Sequence, residues 1–293
     1  MRLRLLGASL RRIRDDAGLI GEDVVHRGGI GSKSTLSRIE NGETNVKLTE
    51  DLLNRLLRCY NAPRDSDNYL SVMSHWQALS SAEEPWWSAW SDVVPARLHE
   101  LMDLERTAAR IDVFEAVHVP GLLQTPPYMS AVMAVPYRGR EKDQKTVDRR
   151  RKVRRERQHL LDQDDAPDLT AYLEESLLYK PFGGATVLRE QLRHLLNLCD
   201  ARDNIHIRVF PHAAYEHAGP LTPSATLLTF PKDQTPREAL YVEAPNTAAT
   251  WVHDQDDVEI HRASLLSVAL HALDKSATLE LLQRRIDELT ETF

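Results

Sequence analysis

The chain reads as an α+β protein: an N-terminal all-α domain with helix-turn-helix spacing, followed by a larger mixed α/β domain. Three observations predict this. Apolar residues recur every three or four positions through about the first 65 residues. Beyond Arg110, alternating β-branched runs such as IHIRVF are interleaved with helical periodicity. The 293 residues are 42% hydrophobic and 28% charged, a globular composition with length for about two domains.

The elements follow in order. Leu3, Leu6, Leu10, Ile13 and Ala17 form one face of a first helix, closed by Gly18. A short second helix runs from about Gly21 to Arg27, with Val24 and Val25 inward. GGIG turns the chain, and Ser32 caps a third helix that ends at Asn41-Gly42. A fourth helix spans Leu48 to Tyr60 on a stripe of Leu48, Leu52, Leu53, Leu56 and Leu57, and Ala62-Pro63 stops it. The first domain therefore covers residues 1–65. Residues 66–110 read as a helical linker with a tryptophan cluster. Its SSAEEPWWSAW carries Trp86, Trp87 and Trp90, which either anchor one domain on the other or stack on bases or a ligand. A long helix over 95–110 ends the linker.

Residues 111–293 form the second domain. Ile111 to Val119 alternates as a strand, PGLLQTPPYM punctuates it, and a helix runs through Val132. Lys145 to Leu161 is a charged helix, LTAYLEESLL a strand entering a turn, and Val187 to Leu198 a helix. Ile205–Phe210, Ala225–Phe230 and Ala239–Ala244 are strands, and Val258–Leu273 and Thr278–Leu289 close the chain as helices.

Net charge is −7, but its distribution is uneven. Residues 1–62 hold 11 Lys and Arg against 8 Asp and Glu, and residues 138–157 hold 11 against 4, so the remainder is strongly acidic. Cys59 and Cys199 sit singly in apolar helical patterns, which gives no metal-ligand spacing and fits a reducing compartment. The basic start MRLRLLGASLRRIR is broken by Arg11 and Arg12, too early for a secretory signal. No apolar stretch is long enough to span a bilayer. The expectation is a cytoplasmic protein with no membrane segment, no metal and no cofactor.

GIGSKSTLSRIENGETN is the most informative run. A helix-turn-helix needs a small or apolar residue at the crossing, a turn glycine at positive φ, and two apolar residues three apart on the second helix. Val25, Gly29, and the pair Leu36 and Ile39 supply these. Lys33, Ser34, Thr35, Ser37 and Arg38 are left outside. Lys33 and Ser34 sit where a recognition helix first meets base edges, and Arg38 can place its fork on guanine O6 and N7. Thr35 and Ser37 can touch a thymine methyl or a phosphate. Asn41, Thr44, Asn45 and Lys47 in the following loop are candidates for positioning the domain on phosphates, and the cap residue Ser32 is a further DNA-binding candidate. A solvated helix in a protein-interaction module is the alternative.

LRRIRDDAGL and SKSTLSRIENG resemble the XRE family of helix-turn-helix regulators. The resemblance implies double-stranded DNA as partner and a structural ion pair between Arg14 and Glu40. Gly21 departs from the family's usual Gln, and GGIGSK is one residue longer than typical. VPGLLQTPPYM, RRRKVRRERQHLL, LEESLLYKPFGG, REQLRHLL, IRVFPHAAYEHAG and LYVE resemble the C-terminal domain of WhiJ-like actinobacterial regulators. That resemblance implies an actinobacterial regulator, often with a small acidic partner protein.

In the second domain Glu174 and Glu175 end a strand, and His212, Tyr215 and His217 follow another. Tyr241 and Glu243 share a face of a third. These are candidates for a ligand pocket, open to a small-molecule effector, or for groups that satisfy buried polar atoms. No phosphate-binding glycine loop, metal-ligand spacing or nucleophile elbow is present, so no enzyme is expected. A nucleotide- or sugar-acting transferase is the weaker alternative. Arg149, Arg150, Arg151, Lys152, Arg154, Arg155 and Arg157 surround their helix. They are solvated, or dock the acidic remainder or an acidic partner, or touch phosphates.

The expected function is a sequence-specific transcriptional regulator acting as a homodimer, since one recognition helix buries too little for strong specificity. Leu279 to Leu289 either joins the dimer or packs within its own chain. The alternative is an antitoxin-like, partner-holding protein that binds DNA for autoregulation.

Overall fold

The computed structural model describes residues 2–42, 47–80, 90, 92–94, 96–134, 144–218, 224–231, 237–242, 250–252 and 255–291. Contacts divide it into two compact units, residues 1–86 with 230–238 and residues 87–229 with 239–293.

The first unit, the head, holds α1 (Arg2–Asp16), α2 (Gly21–His26), α3 (Lys33–Glu40), α4 (Glu50–Cys59) and α5 (Asp67–Ser80). The apolar periodicity becomes one core of Leu6, Leu10, Ile13, Val24, Leu36, Ile39, Leu53, Leu56, Leu57 and Val72. Gly18 (φ +67°) and Gly42 (φ +65°) end α1 and α3 in the left-handed region where glycine has no steric cost. Thr49 caps α4 through its side chain, so that helix begins after Leu48, which packs on the core from the preceding loop. The first domain extends beyond residue 65. α5 falls in the segment read as linker, yet Val72 is fully buried in the head core, and the Tyr69 hydroxyl donates to Asn54 Oδ1 at 2.7 Å. The local pattern reported a helix there but not its packing partner. Of the tryptophan cluster, Trp90 is half-buried, whereas Trp86 and Trp87 lie outside the described residues.

The second unit, the body, opens with α6 (Ala96–Glu105). It is built on a sheet of order β3-β2-β1-β4-β5-β6. The strands are β1 (Arg110–Glu115), β2 (Asp168–Glu174), β3 (Ile205–Phe210), β4 (Ala225–Thr229), β5 (Glu238–Val242) and β6 (Thr250–Val252). β1, β2 and β3 are parallel, with Val113 opposite Ala171 and Ala171 opposite Ile207. β4 runs antiparallel to β1, and β6 to β5. The fold is therefore α+β with a mixed sheet. β1 stops at Glu115 rather than Val119, and β6 is too short for its alternation to register in sequence.

Pairing register assigns the two sheet faces. Phe114, Tyr172, Phe210, Leu227, Leu240 and Val242 share one face and pack with Leu265, Val268 and Ala272 of α11 (Gln255–His271). Arg208 donates to the carbonyls of Ala269, Ala272 and Leu273, satisfying the C-terminal end of α11 with a cation. α9 (Ala185–Ala201) and α12 (Lys275–Glu291) pack on each other and on β3. α12 turns Leu282, Ile286 and Leu289 inward, so the final helix packs within its own chain. α7 (Pro126–Ala134), α8 (Gln144–Gln158) and the short α10 (Tyr215–Ala218) complete the body. Among the described residues, no helix is long and apolar enough to cross a membrane.

Candidate nucleic-acid interface

α3 begins at a side-chain cap. Ser32 Oγ accepts from Thr35 N at 3.2 Å and lies 2.9 Å from Thr35 Oγ1. Leu36 (2% exposed) and Ile39 (1%) turn into the head core and fix which face is left outward. That face carries Lys33, Ser34, Ser37 and Asn41, all exposed, and the half-buried Arg38. Thr35 is half-buried and its hydroxyl is held at the cap, so it belongs to the helix start rather than to the outward face. Arg38 Nε donates to Ser34 O at 3.2 Å, which lays the guanidinium along the helix with its other donors available. Asn41 Nδ2 donates to Ser37 Oγ at 3.4 Å. Lys47 is exposed; Thr44 and Asn45 lie outside the described residues.

Lys33 Nζ meets Glu22 Oε1 at 2.6 Å, with both side chains more than half exposed. The hydrogen bond and charge of Lys33 hold the Glu22 carboxyl below the usual carboxylate range. An exposed pair of this kind is weak and readily displaced. Nothing in the local sequence pattern singled out Glu22, because its partner sits eleven positions away, across the turn.

The turn differs in detail from its sequence reading. Gly28, not Gly29, takes positive φ (+71°). Gly29 serves close approach: a Cβ there would stand 3.0 Å from Val24 Cγ1 and 3.2 Å from Cys59 Cβ. The deeper residue of α2 is Val24, fully buried, while Val25 is half-buried. Gly21 faces Lys33 Cγ at ordinary contact distance, 3.6 Å, so packing alone does not demand glycine there.

Behind the outward face, Arg14 Nε and Nη2 donate to the two Glu40 oxygens at 2.7 and 2.9 Å, and Nη1 donates to Leu19 O at 2.7 Å. The Glu40 bond raises the Arg14 pKa. The pair ties α1 to the end of α3. Burial pushes the nearby Tyr60 hydroxyl well above the usual tyrosine range. A second close approach lies beside it. A Cβ on Gly7 would stand 2.4 Å from Ile39 O and 2.5 Å from Glu40 O, so α1 crosses the last turn of α3 at a glycine.

The body's candidate residues divide. Glu174 is 5% exposed at the C-terminal end of β2. Its Oε2 accepts from Ser176 N at 3.1 Å and from Ser176 Oγ, and its Oε1 lies 3.1 Å from His212 Nδ1. Glu175 Oε2 accepts from His212 N at 2.8 Å. Tyr215 packs edge-on against Phe210 at 5.1 Å, and burial, with Glu174 nearby, raises its pKa. Glu174, Glu175, His212 and Tyr215 thus gather where the parallel strands end. His217 is apart, with its ring 6.5 Å from that of His271. Tyr241 does not join them. It is 5% exposed, on the opposite face of the sheet from Leu240 and Val242, against Trp251 at 5.0 Å. Glu243 lies outside the described residues. A separate groove of about 600 Å³ opens beside Arg110, Thr170, Tyr172, His206, Arg208 and Lys275. The pattern of the sequence did not point to it, because its residues come from four separate segments.

The arginine run of α8 is largely engaged inside the body. Arg157 Nε and Nη2 donate to Glu105 at 2.7 and 2.6 Å, with the Glu105 side chain 1% exposed. Arg149 forms two bonds to Asp92 at 2.6 and 2.8 Å, Arg150 Nε donates to Val93 O, and Arg154 Nη1 to Gln124 Oε1. Of the three readings, docking on the chain's own acidic and carbonyl groups describes these four. Lys152 and Arg155 remain exposed.

Comparison with known families agrees with the division into head and body. Residues 5–67 match a family model described as Helix-turn-helix domain. Residues 98–284 match one described as Domain of unknown function (DUF5753). No curated protein and no solved structure matches the chain. The second model covers well over half of the sequence and contains β1 to β6, α11 and most of α12. The chain therefore belongs to the DUF5753 family, and it carries a helix-turn-helix domain in front of that body.

Proposed function

We propose that this protein is a sequence-specific DNA-binding transcriptional regulator of the XRE type. It reads its operator with α3 and acts in the cytoplasm as a homodimer. The observation that carries the reading is the sidedness of α3: Leu36 and Ile39 are committed to the core, leaving Lys33, Ser34, Ser37, Arg38 and Asn41 together on the outer face. Lys33 and Ser34 meet base edges first, Arg38 addresses a guanine one turn on, and Asn41 and Lys47 hold phosphates. Glu22 holds Lys33 in place until a phosphate or base replaces it. Two copies are required because one such helix spans only one half-site.

In this reading the body receives a signal, from a small molecule or a protein partner, and is not a catalyst. The Glu174, Glu175, His212 and Tyr215 cluster supports that role, since the C-terminal ends of parallel strands are where sheets of this kind bind ligands. The test is binding of the full chain to its own promoter region, followed by fluorescence anisotropy against scrambled DNA. Lys33→Ala with Arg38→Ala is expected to abolish the preference for the promoter while residual salt-sensitive binding persists. Undiminished preference in that variant would remove α3 as the reading surface.

A further inference from the structure

α11 is apolar on two sides. Leu265, Val268 and Ala272 are buried against the sheet. On the opposite side Ile260, Leu266 and Leu270 are 67%, 57% and 80% exposed, and Ala263 is exposed between them. With roughly 3.6 residues per turn, these four fall in one arc turned away from the buried three. Three of the eight large hydrophobic side chains exposed among the described residues lie on this one helix. A helix apolar all round is normally covered all round, and a clustered exposed apolar patch marks an interaction surface.

We infer that this face of α11 is the two-fold contact between two copies of the chain, with their α11 helices antiparallel. The choice of a second copy rests on the two-headed reading above, and on the symmetry of the pattern itself. In a two-fold contact, residue i of one copy meets j of the other and j meets i. An antiparallel pair centred over position 265 sets Ile260 of one copy opposite Leu270 of the other, twice. Leu266 lies beside the axis. The same register brings the exposed Glu259 of each copy opposite His271 of the other, so the acidic start of the helix faces its basic end. α12 is not available for this role, because its apolar side is already spent on α9 and β3. One helical stripe per copy is smaller than the roughly 800 Å² per partner of a stable standard interface. The dimer is therefore concentration-dependent in free solution and tightens when both heads hold one DNA.

Sedimentation of the full chain without DNA, across the micromolar range, tests the contact. A reversible monomer–dimer equilibrium is expected. Leu266→Glu with Leu270→Glu should weaken it at least tenfold with an unchanged circular dichroism spectrum and melt, since both side chains are exposed. A register test accompanies it: Ile260→Cys and Leu270→Cys chains, oxidised separately and mixed, against the native chain as blank for Cys59 and Cys199. The mixed pair should cross-link more than either alone. A monomer at all concentrations, an undiminished dimer in the double-glutamate variant, or Ile260→Cys coupling to itself as readily as to Leu270→Cys would each overturn the contact. Binding of the double-glutamate variant to a single half-site keeps the two readings apart. It should be retained if α3 reads DNA, whatever sedimentation shows, and its loss in a folded monomer would count against the head instead.

Discussion

The basic residues of α3 in the head and those of α8 in the body meet different fates. In the head, Arg38 stays at the surface of a short helix, and its bond runs to a carbonyl four residues away. In the body, Arg157 reaches Glu105, 52 positions back in the chain, and Arg149 reaches Asp92, 57 back. A small helical domain fills its core with a few apolar positions, so what is left over faces outward by default. In the body, Arg157 of α8 is drawn in to a carboxylate that is 1% exposed, whereas the Arg149–Asp92 pair lies at the surface. The cations of α3 are therefore left facing outward, whereas those of α8 serve largely as fastening within their own unit.

The largest expected effect is at Arg157. Its partner Glu105 is almost fully buried, so Arg157→Ala leaves a carboxylate without its counter-charge. The expected loss is about 3–5 kcal/mol of body stability. Arg157→Met with Glu105→Met should lose much less, because the uncompensated charge is gone. Denaturant unfolding of the two variants checks this. A loss in Arg157→Ala no larger than that of an exposed residue such as Arg155→Ala would return the α8 run to the solvated reading.

The head has its own long-range pair in Arg14 and Glu40, 26 positions apart, and beside it a contact with no slack. Gly7→Ala places a methyl group 2.4 Å from Ile39 O. Alanine favours the helix over glycine by about 1 kcal/mol, and the clash outweighs that gain, because the obstacle is backbone rather than a movable side chain. The expected outcome is a net loss of about 1–3 kcal/mol. It should appear in the head's unfolding with DNA affinity falling in step, and leave the body's transition unmoved.

These two sites also mark what the sequence makes legible. The period of Leu6, Leu10 and Ile13, the cap at Ser32 and the stop at Gly42 are local signals, and each became the element it indicated. Arg14 and Glu40 could be paired only through a family resemblance, since nothing within a few residues of either names its partner. Gly7 looked like any helical glycine until the end of α3 was placed against it. In the body, Ile205–Phe210 was readable as a strand, but strand order and facing were not. Alternation tells which residues share a face and not which strands lie between, so Tyr241 was grouped with Glu174 although the two sit on opposite faces, with β1 and β4 between their strands.

Glu22 gives a smaller effect on the same comparison. If the head's outward cations are held for DNA, Glu22→Gln frees Lys33 at little structural cost, because the pair is exposed. Non-specific DNA affinity should rise modestly and its salt dependence steepen by up to about one counterion, while preference for the promoter falls. The salt series of the variant against the native chain reads both. An unchanged slope would mean that Lys33 makes no phosphate or groove contact.

The smallest expected effect is an acid response confined to the body. Burial lowers the pKa of His194 on α9 below the usual 6.5, and burial likewise lowers that of His99 on α6. Both residues belong to the second unit. A depressed histidine is neutral in both states above pH 6.5. As pH falls below 6.5 the unfolded chain takes up the proton first, so the stability of the folded body declines from there down to the folded pKa. His194→Gln should flatten that decline between pH 6.5 and 5 relative to the native chain, measured by denaturant unfolding at each pH. The carboxylates common to both chains cancel in the difference. A head transition that shifted with the same substitution would mean that the two units do not unfold independently, so that head and body differ in their surfaces but share one stability.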